Sequence, residues 1–116
     1  CWVAGFSFGA WIGMQLLMRR PEITGFISVS PPANMYDFSF LAPCPSSGMI
    51  INGAADRIAP PSATVELVEK LREQRGITVT HNEMEGAGHF FEDPYMDEML
   101  DTVTSYVKRR LTETTR

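Results

Sequence analysis

Cysteine is scarce in this sequence. The 116 residues hold two, Cys1 and Cys44, and two thiols cannot build the framework of bridges that staples a small secreted fold. No CxxC pair and no Cys/His cluster occurs, so no metal and no cofactor is expected. No run of about 18 apolar residues is present, so no segment is expected to cross a bilayer as a helix. The most apolar stretch, Trp2 to Met18, is broken by Gly5, Ser7, Gly9, Gly13 and Gln15. Positive charge is in deficit as well. Ten Lys and Arg against 14 Asp and Glu leave a net charge of −4, which argues against nucleic acid or an anionic membrane as a partner. Cys1 falls in what reads as a buried strand and Cys44 in a loop between Pro43 and Pro45. Two reduced thiols suit a cytoplasmic chain.

What is present suits one modest globular domain over residues 1–116, with 44% apolar and 21% charged residues. The chain opens directly on the apolar Cys1-Trp2-Val3-Ala4, without an initiator Met, and is expected to be the C-terminal part of a longer protein. Cys1 to Ala4 is a short continuous apolar run, the pattern of a central parallel strand buried on both faces. Phe8 to Arg20 reads as a helix, with Trp11, Met14, Leu17 and Met18 at helical spacing and Pro21 as its stop. Gly25 to Val29 is a second strand, ended by Ser30-Pro31-Pro32. Ala33 to Ser47 is irregular, and Gly48 to Asn52 is a third buried strand. Pro60-Pro61 opens a helix to about Gln74 whose Val65, Val68 and Leu71 face inward. Ile77 to Met84 alternates as a fourth strand. A last helix follows Asp93-Pro94, with Met96, Met99, Leu100, Val103, Tyr106, Val107 and Leu111 as its apolar stripe. Strands alternating with helices imply an α/β fold with a mostly parallel sheet and flanking helices.

The motif that carries chemistry is Gly5-Phe6-Ser7-Phe8-Gly9. It follows a strand and leads straight into a helix, which is the context a G-x-S-x-G pattern requires. A serine at so tight a turn has a strained backbone, and glycines two residues either side spare Cβ collisions with the adjoining strand and helix. The turn sets Ser7 at a helix N-terminus, where the backbone N–H of Phe8 can donate to an oxyanion. A serine hydroxyl needs a general base. His89 lies in Gly86-Ala87-Gly88-His89-Phe90, just past the last strand. His81 sits inside an alternating strand on what reads as a solvated face. The acid that would orient an imidazole is Asp56, carried past the third strand by Gly53-Ala54-Ala55. Its rivals are Asp37, which precedes that strand, and Glu92 or Asp93, which stand too close to His89 in sequence. Serine, acid and base would thus come from three loops at the carboxyl edge of one parallel sheet, where ligands of open α/β sheets bind.

These residues resemble the C-terminal half of the α/β-hydrolase superfamily, and within it the small, lidless, dienelactone hydrolase-like group. The likeness covers essentially the whole chain and implies strands five to eight of the family sheet. One departure is that Ser7 stands where true dienelactone hydrolases have Cys. The resemblance implies a serine hydrolase with Ser7, Asp56 and His89 as catalytic residues and Phe8 in the oxyanion hole. The second oxyanion donor would lie upstream of Cys1. Ser30 to Ser47 occupies the interval where lids are inserted in the family and is too short for one. Phe6, Met35, Tyr36 and Phe38 are candidates for the substrate pocket. The expected partner is a small or medium ester or thioester, and a homodimer stays open. Alternatives are a serine peptidase or acyl transferase with the same three residues, or a non-catalytic binding protein of hydrolase fold.

Overall fold

A computed structural model describes residues 1–41 and 43–114. Four strands, β1 (Trp2–Phe6), β2 (Gly25–Val29), β3 (Gly48–Gly53) and β4 (Val79–Met84), lie side by side in that order and are all parallel. Helices α1 (Phe8–Arg19), α2 (Pro61–Arg72) and α3 (Tyr95–Thr114) connect or follow them, and Ser39–Leu41 forms one 3-10 turn. The expected parallel α/β architecture is what the chain adopts.

The pleat sends alternate residues to opposite faces of the sheet, and two cores result. Phe26, Ile50 and Val79 pack with Met14 and Leu17 of α1 and with Leu67, Val68 and Leu71 of α2. Ile27, Val29, Met49, Ile51 and Met84 pack on the other face with Met99 and Tyr106 of α3. Strands β2 and β3 are buried along their whole length, as expected of central parallel strands between helical layers. Each fully buried Phe26, Ile50 or Ile51 contributes about 1.5–3 kcal/mol.

Four sequence expectations change. Strand β1 is only partly buried and Cys1 is exposed, because among the described residues β1 forms an edge of the sheet and has a neighbour on one side alone. Helix α1 buries Ala10, Gly13, Met14 and Leu17, whereas Met18 is exposed. At 3.6 residues per turn Met18 sits about 90° round from that line. The inward face of α2 is Thr64, Leu67, Val68 and Leu71, and Val65 is turned out. On α3 the stripe is narrower than its apolar content suggests. Met99 and Tyr106 are buried with Val103 and Val107 packed beside them, while Met96, Leu100 and Leu111 are exposed. Cys44 is buried in the first core, and burial pushes its thiol pKa up.

Candidate active site

Ser7, Ser30, Asp56 and His89 all follow the carboxyl ends of strands, so the parallel sheet delivers them to one edge. Ser7 joins β1 directly to α1 with φ 55° and ψ −120°. The left-handed φ costs a non-glycine residue of order 1–3 kcal/mol. Its N–H donates to Val29 O at 2.8 Å, which fixes the turn to the end of β2. Gly5 makes the turn passable. A Cβ there would lie 2.3 Å from Gly9 O and 2.7 Å from Ala10 Cα. Gly9 is different: a Cβ would meet nothing within 4 Å. Only the first of the two glycines is demanded by space in this structure, because Gly5 alone sits where strand and helix face each other.

Ser7 occupies the N-cap position of α1, yet its hydroxyl makes no capping bond. It forgoes an interaction worth about 1 kcal/mol and instead lies 2.7 Å from His89 Nε2. On the far side of the ring, His89 Nδ1 is 2.7 Å from Asp56 Oδ2. The other carboxylate oxygen, Oδ1, accepts the backbone N–H groups of Ile58 and Ala59, each at 2.8 Å. Asp56 is thereby held on both oxygens, and it is 4% exposed against 5% for His89. Ser7 is half-buried. Phe8 is the first residue of α1, so its N–H is among the four that helix geometry leaves without an intrahelical acceptor.

The loop carrying His89 is clamped from below. Gly53 approaches it so closely that a Cβ would lie 2.1 Å from Ala87 O and 2.8 Å from Gly88 O. Ala55 N–H donates to Ala87 O at 2.9 Å. The hydroxyl of the fully buried Ser30 donates to His89 O at 2.9 Å. Phe91, two residues past the histidine, is fully buried at φ 48°.

The structure brings together the three residues the sequence singled out, while Asp37 and His81 bond elsewhere. The Asp37 carboxylate accepts the backbone N–H and the hydroxyl of Ser39, and these bonds hold its pKa below the ordinary value. His81 is half-buried rather than fully solvated. Its Nε2 lies 2.7 Å from Oδ1 of the buried Asn52, because β4 pairs with β3 and places both on one face of the sheet. Burial, opposed by the nearby Glu83 carboxylate, lowers the His81 pKa.

Of the candidate pocket residues, Phe6 is 40% exposed with its ring 5.5 Å from that of His89 and 5.9 Å from that of Phe90. Phe90 is itself 52% exposed. Met35 is exposed, and Tyr36 stacks on Trp11 at 4.8 Å with Phe8 beside it at 5.4 Å. Phe38 is 7% exposed and belongs to the core. It lines, with Tyr36 and Leu71, a cavity of about 630 Å³ that none of Ser7, Asp56 and His89 borders. Its apolar ring is used in packing beneath α2, which corrects the expectation that it walls the site. Sequence reasoning missed Phe90 and Ser30. The position of Phe90 beside His89 could have flagged it; Ser30 was hidden in a Ser-Pro-Pro strand terminator. Among the described residues no cluster of His, Cys, Asp and Glu could hold a metal ion, and no helix is long and apolar enough to cross a membrane.

No family model matches the chain. The solved structures do. A protein of unknown function from Agrobacterium tumefaciens, described as a candidate α/β hydrolase, is 61% identical with a TM-score of 0.95 over 97% of this chain. The chain belongs to the α/β-hydrolase superfamily. A lidless α/β serine hydrolase from Xanthomonas campestris is 33% identical over 93% of this chain, with a TM-score of 0.79. An uncharacterised protein of Rickettsia prowazekii is 50% identical over 93 residues, 77% of this chain. The chain spans 51% and 46% of the two structures and 39% of the Rickettsia protein. It corresponds to part of an α/β-hydrolase fold.

Proposed function

We propose that this α/β-hydrolase chain carries the catalytic residues of a serine hydrolase that cleaves a small or medium carboxylic ester or thioester. The observation that supports this most is the unbroken chain from Ser7 Oγ through both ring nitrogens of His89 to the anchored Asp56 carboxylate. In that role His89 Nε2 takes the Ser7 proton as Oγ attacks the carbonyl carbon. The Asp56 carboxylate receives Nδ1–H and stabilises the imidazolium that forms. The oxyanion is met by Phe8 N–H, at the positive end of α1. Collapse of the tetrahedral intermediate breaks the bond to the leaving oxygen or sulfur, which departs with the proton from Nε2. Water, deprotonated by the same nitrogen, then releases the acyl group from Ser7. The exposed rings of Phe6 and Phe90 beside His89 favour a neutral substrate with an apolar flank.

The test is the hydrolysis of short-chain p-nitrophenyl esters and thioesters by the full-length protein. Ser7→Ala is expected to remove turnover. Asp56→Asn keeps an acceptor for Ile58 and Ala59 but cannot hold the imidazolium, and about a 10⁴-fold fall in kcat is expected. Turnover that survives Ser7→Ala would sink the proposal.

A further inference from the structure

We propose that Ser30 is a positioning residue that holds the base of this site, its hydroxyl fixing His89 over Ser7 through the His89 carbonyl. The inference rests on the serine-hydrolase reading above. Ser30 follows the last residue of β2 and bonds directly to His89 and to β3, while Val29 before it bonds to Ser7. Its N–H donates to Ile51 O at 2.8 Å, tying it to the strand that leads to Asp56. The carbonyl of the preceding residue, Val29, accepts the N–H of Ser7. Its hydroxyl donates to His89 O, across 59 residues of sequence, with no exposure to solvent.

The backbone at Ser30 supports the same conclusion. Among the described residues, non-glycine positive φ occurs at Ser7, Ser30 and Phe91. All three belong to the site or flank His89. A serine at φ 51° is strained without an evident gain in packing, since glycine would satisfy the turn at lower cost. What glycine would not supply is the hydroxyl. The strained backbone at Ser30 thus marks a role for the side chain it carries. His89 makes its two ring contacts at 2.7 Å on opposite sides of the imidazole, so a backbone shift near 1 Å cannot keep both in good hydrogen-bond geometry. Displacements of that size cost about a hundredfold in rate.

Full-length wild type, Ser30→Ala and Ser30→Gly are compared, with Ser7→Ala as the reference for the site. Four quantities are read: p-nitrophenyl acetate kinetics, the rate of fluorophosphonate labelling, the low-field proton NMR signal of His89 Nδ1–H, and the melting temperature. Both Ser30 variants are expected to lose about ten- to a hundredfold in kcat and in labelling rate with KM nearly unchanged. The low-field proton is expected to weaken or broaden in both. Ser30→Gly is expected to stay slow even if it melts at or above the wild-type temperature. Wild-type kcat in Ser30→Gly would overturn the proposal, because the backbone angle alone would then be what matters. A lowered rate with an unchanged low-field signal would overturn it too, as would failure of both variants to fold. Wild-type protein that Ser7-directed probes do not label would bring down the serine-hydrolase reading, and this proposal with it.

Discussion

Replacing Gly53 with alanine adds one methyl group at the end of β3 and is expected to disable the site from beneath. The new Cβ would stand 2.1 Å from Ala87 O, 2.6 Å from Ala87 C and 2.8 Å from Gly88 O. All three are backbone atoms of the loop that carries His89, so no side chain can swing aside. An ordinary C···O contact is about 3.3 Å, and regaining it requires the loop to rise by roughly 1 Å. The bond from Ala55 N–H to Ala87 O stretches with it. His89, two residues on, can then no longer keep both of its 2.7 Å contacts, to Ser7 and to Asp56, in good geometry. Overpacking of this kind costs about 1–3 kcal/mol of stability, and a 1 Å misplacement about a hundredfold in kcat. Urea denaturation and p-nitrophenyl ester kinetics measure the two effects. Gly88→Ala is the control, since a Cβ beside His89 itself meets nothing within 4 Å and should leave stability and rate near wild type. Equal effects from the two substitutions, or a Gly53→Ala protein with wild-type kcat, would refute the argument that the β3 end sets the height of the histidine loop.

The glycines of the elbow should behave unequally. Gly5→Ala drives a Cβ into Gly9 O and Ala10 Cα and is expected to destabilise by about 1–3 kcal/mol. Gly9→Ala meets open space in a helix and should gain about 0.5–1 kcal/mol, both read from urea midpoints. The lowered His81 pKa makes its neutral form the one the fold prefers. The unfolded chain then binds more protons than the folded one as pH falls below the free value of about 6.5. Stability contributed by His81 is thus present above that pH and lost as pH drops through the folded pKa. Melting temperature should fall less between pH 7 and 5 in His81→Gln, whose amide can still donate to Asn52; identical slopes would contradict this.

How much of this was legible in the sequence depended on distance along the chain. The elbow, the acid loop and the histidine loop are each local signatures. Parallel strands then oblige their carboxyl ends to share an edge, so Ser7, Asp56 and His89 could be grouped without coordinates. Burial was read less well where it depends on neighbours. Cys1 to Ala4 is apolar enough for a central strand, and in this chain, which spans about half of its solved relatives, β1 has a neighbour on one side alone. Val65, Met18 and Leu100 are apolar residues on the wrong side of a 3.6-residue turn. His81 alternates like a solvated strand residue, and only its pairing register with β3 puts it against Asn52. Ser30 was invisible because its bond to His89 O spans 59 residues and no local pattern encodes it. Gly53 was read as a small residue before Asp56, whereas its structural demand comes from Ala87 and Gly88 in another loop.

The measurement that bears most directly on the central claim is peptide mapping of the full-length protein after reaction with a fluorophosphonate. The arrangement of Ser7, His89 and Asp56 predicts one phosphonyl group, on the peptide containing Ser7. Its formation should be slowed by several orders of magnitude in His89→Ala, since the hydroxyl then lacks its base. A label on any other residue, or ester hydrolysis that continues while Ser7 stays unmodified, would contradict the claim that Ser7 is the nucleophile.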